Sequence, residues 1–213
     1  SPDASPRIIA ELARAHPDRI RPLLQPRNLG VVGNSKAVFR AARGRYIALV
    51  EGDDFWTHPD KLARQVALLE SQPHLAASGH AARHVDAAGV ELPSHELGFA
   101  GERLIHLSDL LEANLVPTAS LVFRRALLPE IPVWAEPLPM LDWPILFELA
   151  ARGPIHFSSE AWCAYRVHGG GVWSGQQRAR VVGGGVERDI GPHRRLHDGD
   201  EARLGGGEPV DPA

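Results

Sequence analysis

A chain of 213 residues, 44% hydrophobic and 23% charged, has enough material for one α/β domain with a sizeable core. Its formal charge of -3 excludes nucleic-acid binding driven by bulk electrostatics, and its lone Cys163 excludes an internal disulfide framework and a cysteine-based zinc site. Neither a run of about eighteen apolar residues, as a transmembrane helix needs, nor a signal peptide is legible.

From Ser5 the pattern is helical: Pro6 suits a first helical turn, and Ile8, Ile9, Leu12 and Ala13 form one apolar face. Residues 20–24 read as a short strand and residues 26–30 as a loop, in which Asn28 is a turn residue tolerant of unusual backbone angles. A second helix is expected over residues 34–42, with Gly44 as its C-terminal cap.

Residues 46–50, YIALV, then run apolar without polar alternation, as a strand covered on both faces does, and stop at Glu51-Gly52-Asp53-Asp54. In open α/β sheets ligands collect beyond the carboxyl ends of the strands, and Gly52 lets the chain turn and gather the carboxylates. Carboxylates so close repel unless a cation neutralises them, which favours a hard, oxygen-liking ion such as Mg²⁺ or Mn²⁺ over a merely solvated acidic turn.

A further helix begins near Asp60, which serves its N-terminus, with Leu62, Val66 and Leu69 on the inner face. Residues 75–78 and 82–85 read as strands before a turn at residues 86–89, and the polar segment 91–103 as a loop. A short helix over residues 108–113 precedes a strand over residues 117–123, in which Thr118 and Ser120 either meet a ligand or are hydrogen-bonded within the sheet. Asp142, just before Trp143-Pro144, is a good helix N-cap, and the helix runs to Gly153. Residues 155–157 and 162–167 close the sheet, delivering Arg166 and His168 to glycine-rich backbone, with Trp173 and Ser174 in a loop beyond. After residue 175 the apolar period disappears, and residues 176–213 read as a disordered tail.

Several of these stretches, taken in order, resemble family 2 glycosyltransferases: YIALVEGDDFWTHPDKLARQVALLE from Tyr46, NLGV from Asn28, LDW from Leu141 and YRVHGGG from Tyr165. The resemblance covers about residues 1–175 and implies an α/β fold of GT-A type, a Rossmann-like three-layer α/β/α sandwich with a mostly parallel central sheet. It implies an inverting, metal-dependent transfer from a nucleotide sugar, a UDP-sugar ahead of a GDP- or dTDP-sugar, to a hydroxyl of a glycan, lipid-linked or other acceptor. Asp142 aligns with the general base, and Asp53, Asp54 and His168 with the metal side. Asn28, Gly30, Glu51, Asp53 and Arg166 align with the donor side, and Mg²⁺ or Mn²⁺ is the implied cofactor. The family carries a first strand and a nucleobase loop ahead of what stands here as residues 1–6, so the domain is expected to lack its N-terminal strand. The expected location is cytoplasmic, at the inner face of the membrane. Two other readings stand beside the enzyme: an inactive remnant or binding module of the same fold, and, further back, a nucleotidyltransferase.

Overall fold

The computed structural model describes residues 3–93, 100–138 and 140–169. The expected Trp173–Ser174 loop and the tail over residues 176–213 lie outside them. In chain order the elements are α1 (Ser5–Ala15), α2 (Gly30–Ala41), β1 (Tyr46–Ala48), β2 (Phe55–Trp56), α3 (Lys61–Ser71), β3 (Ala77–Val85), β4 (Glu102–Ile105), α4 (Leu107–Glu112), β5 (Val122–Arg124), α5 (Asp142–Ala150) and β6 (Ile155–Arg166).

Six strands form one sheet in the order β1-β5-β3-β6-β2, with β4 also paired to β6. The α/β class agrees with the sequence, but the sheet is mixed. Only β3 and β6 run parallel, whereas β1–β5, β5–β3, β6–β2 and β6–β4 are antiparallel. Apolar runs show that a strand is covered on both faces, and they carry no information about the direction of its neighbour.

Side-chain alternation divides the core into two layers. Phe123, Phe157, Ala77 and Ile47 point to the face that carries Phe39 of α2, Leu110 of α4 and Ile145, Leu146 and Leu149 of α5. Val122 points the other way, to Leu69 of α3 and Leu75. Three layers result, with α3 alone on its side among these helices. Gly79 belongs to this packing. A Cβ there would stand 2.6 Å from Val116 Cγ1, so only a glycine lets Val116 lie against β3 beside Phe157.

Several local expectations are corrected. Residues 20–24 form no strand, and Leu23 and Leu24 are exposed, because no neighbouring strand offers them a ladder. The apolar face of α1 is likewise uncovered: Ile8, Ile9 and Leu12 are all exposed. Helix α2 starts at Gly30 rather than residue 34 and is closed by Ala42 rather than Gly44. Residues 75–78 and 82–85 belong largely to the one strand β3, and residues 155–157 and 162–167 to β6. The register shift at His80–Ala82, opposite a bulge at Ser159 and Glu160, breaks the sequence pattern without ending either strand. Part of the expected loop over residues 91–103 is strand β4, held by its pairing to β6 rather than by its own apolar period. Thr118–Ser120 is a 3-10 turn, so the strand there is only Val122–Arg124.

Helix α3 buries the expected Leu69, with Val66 packed beside it, but its inner stripe is completed by polar residues. Lys61, Gln65 and Leu69 face inward at i, i+4 and i+8, while Leu62 is exposed. The polar members have work there. Lys61 Nζ donates to Gln65 Oε1 at 2.8 Å and to the Ser120 carbonyl at 3.3 Å, above the Trp56 ring. Gln65 Nε2 donates to the carbonyls of Ser78 and Ser120, both at 2.9 Å. These contacts satisfy sheet carbonyls that an apolar helix face would leave bare.

His80 lies fully buried at the edge of this network, its ring hydrogen-bonded to the Ala81 carbonyl at 2.8 Å. Burial, helped by the nearby Lys61 charge, pushes its imidazole down to about 4. A folded-state value below the unfolded one means that acid favours the unfolded chain. The stabilisation present above pH ~6.5 is therefore lost as pH falls toward ~4, by about 3 kcal/mol in total. Urea unfolding at pH 7 and pH 4.5 is expected to show this, and the part of the slope due to His80 should vanish in His80→Leu. An unchanged slope in that variant would refute the assignment.

Candidate active site

Strand β1 ends at Ala48, and the chain then turns through Glu51–Asp54, closed by the Asp54 amide donating to the Glu51 carbonyl at 3.2 Å. The end of β6 binds this turn from the side. The Arg166 amide donates to Asp54 Oδ1 at 2.9 Å, and the Arg166 Nε to the Asp53 carbonyl at 2.9 Å. Arg166 Nη1 donates to the carbonyls of Asp86 and Ala87, both at 3.0 Å, and the guanidinium lies over the Phe55 ring. Arg166 thus ties the acidic turn to the end of β3. His168 Nε2 lies 3.0 Å from Asp53 Oδ2.

Strand β6, paired to β3 and β2, is what carries Arg166 and His168 more than a hundred residues along the chain to this turn. Asn28 and Gly30 form a local turn instead: the Gly30 amide donates to Asn28 Oδ1 at 2.8 Å, and Gly30 has φ +70° at the start of α2. Ser120 is sealed, its hydroxyl donating to the Pro117 carbonyl at 2.7 Å. Asp60 is the N-cap residue of α3 but makes no side-chain cap bond.

The electrostatics join four carboxylates across the fold. Partial burial, then the charges of Asp54, Asp142 and Asp53, push Glu51 up to about 7. Burial pushes Asp54 up to about 6, against the Arg166 amide that favours its charged form. Burial and the same acids push the Tyr165 hydroxyl up to about 12. The charge of Asp142, contributed by α5, is thus felt at Glu51 in the turn after β1.

Asp142 is not the N-cap of α5. Leu141 holds that position, with no side-chain cap bond, and Asp142 is the first helical residue. Its Oδ2 accepts instead from Asn114 Nδ2 at 2.7 Å. The sequence drew no attention to Asn114. It stands 28 positions away between a short helix and a proline turn, where no spacing rule links it to Asp142.

The donor set suits a hard divalent cation. Asp54 Oδ2 is buried with no hydrogen-bond partner, and burial first, then the neighbouring Asp53 charge, raises the Asp54 carboxyl. Among the described residues no group of three or more His, Cys, Asp or Glu side chains is arranged to hold a metal alone. A Mg²⁺-like ion needs only one or two carboxylates, the rest of its shell being phosphate oxygens and water.

Comparison with known proteins decides the family. The sequence profile described as Glycosyl transferase family 2 matches residues 1–128, and a protein of Mycobacterium tuberculosis is 38% identical over 174 residues, which are 81% of this chain and 49% of that protein. The chain belongs to glycosyl transferase family 2. A second relative, described as an uncharacterized glycosyltransferase of Nostoc sp., is 28% identical over 183 residues, covering 79% of this chain and 53% of the relative. The family 2 chain thus spans about half the length of the curated relatives it matches.

Solved structures agree on the fold. The mannosyltransferase PcManGT of Pyrobaculum calidifontis, in complex with GDP-Man and Mn²⁺, superposes with a TM-score of 0.60 at 18% identity, over 84% of this chain and 49% of that one. TarS of S. aureus (residues 1–349) superposes with a TM-score of 0.54 at 16% identity, over 78% of this chain and 49% of that one. The family 2 fold expected from the motifs is therefore the fold present. No helix among the described residues is long and apolar enough to cross a membrane.

Proposed function

We propose that this family 2 domain transfers a sugar from a nucleoside-diphosphate donor to an acceptor hydroxyl, with inversion and with a divalent cation. The observation that carries this reading is the acidic turn after β1, where Asp54 has a buried oxygen with no hydrogen-bond partner and Asp53 lies 3.0 Å from His168, while Asp142 of α5 adds its charge at Glu51. One carboxylate group can serve the leaving diphosphate and the other the incoming hydroxyl.

Asp53 and Asp54 would hold the cation, with His168 beside Asp53, and the ion would neutralise charge developing on the leaving diphosphate. Asp142 accepts the proton of the acceptor hydroxyl as its oxygen bonds to the anomeric carbon and the bond to the diphosphate breaks. Attack from the face opposite the leaving group inverts the configuration there. Glu51, titrating near neutrality, presents either a donor or an acceptor to the donor sugar. Arg166 spends its visible hydrogen bonds on protein carbonyls, so its part is to hold the turn in shape.

GDP-Man sits in the archaeal neighbour, and nothing in this chain favours uridine over guanosine. The acceptor belongs to the same proposal: a hydroxyl on a glycan or lipid-linked carrier, reached from the inner membrane face. The deciding experiment is calorimetric titration of the full-length protein with GDP, UDP, GDP-mannose and UDP-glucose, each with and without Mn²⁺. Heat with one nucleotide family, present only with the metal, supports the reading. Silence with all four marks a non-catalytic module of the same fold.

A further inference from the structure

We propose that Asn114 is the positioning residue for Asp142, its side-chain amide fixing the carboxylate in the orientation from which it takes the acceptor proton. The inference rests on the reading of Asp142 as the general base. Three observations carry it. The bond from Asn114 Nδ2 to Asp142 Oδ2 is short, at 2.7 Å, and partly shielded from water. Asp142 is the first residue of α5, one past the N-cap Leu141, so its carboxylate has no capping role there and its printed bond is the one to Asn114. The next residue is tethered to the same segment: Trp143 Nε1 donates to the Leu110 carbonyl at 2.8 Å, and Leu110 is fully buried. Two consecutive residues of α5 are thus anchored to α4 and the segment after it.

The chemistry of the anchor fits a base. A carboxylate has about four lone-pair sites, so one donation to Oδ2 leaves the other oxygen for a proton. A neutral amide holds the group without the full positive charge of lysine or arginine, which would weaken it as a base.

The test compares Asn114→Ala with the near-isosteric Asn114→Asp in the full-length protein, using the donor found by the titration above. Both are expected to lower kcat by on the order of 10- to 10²-fold while leaving donor KM and thermal unfolding close to wild type. Asn114→Asp should be the worse of the two, since it keeps the shape and swaps a donor for a second acceptor. A side chain that only fills space gives the reverse order, and that order overturns the proposal. In an Asp142→Asn background, Asn114→Ala should add less than about twofold, and full additivity also overturns it. A crystal structure of Asn114→Ala gives an answer independent of turnover. Asp142 should turn to the helix amides or occupy several rotamers, whereas an unaltered single rotamer removes the positioning role. Full activity in Asp142→Asn alone is a different result, which sinks the base assignment itself.

Discussion

Asp142→Asn is expected to lower kcat for sugar transfer by about 10²–10⁴-fold, the contribution of a well-placed general base. The variant keeps size and shape, and an asparagine amide can still meet Asn114 through its own oxygen, so folding and nucleotide binding should stay near wild type. What is lost is the ability to accept a proton from the incoming hydroxyl. The structural setting makes this a clean test: Leu141, not Asp142, is the N-cap of α5, so the substitution replaces no N-cap residue. One secondary effect is built in. The Asp142 charge is among the causes that raise Glu51, so its removal should lower the Glu51 titration from about 7. Steady-state kinetics together with calorimetric nucleotide binding check both halves, and a variant that transfers sugar at the wild-type rate excludes Asp142 as the base.

Asp54→Ala is expected to act at the other end of the site, abolishing the metal-dependent part of nucleotide binding and with it measurable transfer. Asp54 is raised to about 6 and has a buried oxygen with no partner, so in the metal-free protein it is an unfavourable place for a negative charge. A cation reverses that. Since the carboxylates must be ionised to bind it, affinity should fall as pH drops through about 6, protons and metal competing for the same oxygens. In thermal unfolding, Mn²⁺ with nucleoside diphosphate at a hundred times its dissociation constant should stabilise wild type by about 2.7 kcal/mol at pH 7.5. The gain should shrink at pH 5.5, disappear with EDTA and be absent from Asp54→Ala. Equal stabilisation of the variant and wild type would place the metal elsewhere.

How much of this was legible beforehand varies by element. The apolar run ending in Glu51-Gly52-Asp53-Asp54 announced a strand and an acidic edge, both properties of consecutive residues, although β1 ends at Ala48 on the edge of the sheet and Val50 is exposed. His168 and Arg166 were singled out by motif, and β6 does bring them to the acidic turn. The inner face of α3 was read only in part because Lys61 and Gln65 are buried for the carbonyls they meet, which a hydrophobic period cannot register. Residues 20–24 have strand-forming composition but no ladder partner, so the composition was not enough.

By itself, then, the sequence determined the α/β class, the acidic edge after β1 and the family, since each depends on residue types at short spacing or in a fixed order. Tertiary structure alone decided the mixed strand directions, the exclusion of Ser120 from any open surface and the meeting of Asp142 with Asn114. Those features join residues far apart in the chain. They are fixed by which faces of the sheet the helices cover, and by which donor reaches a carboxylate first.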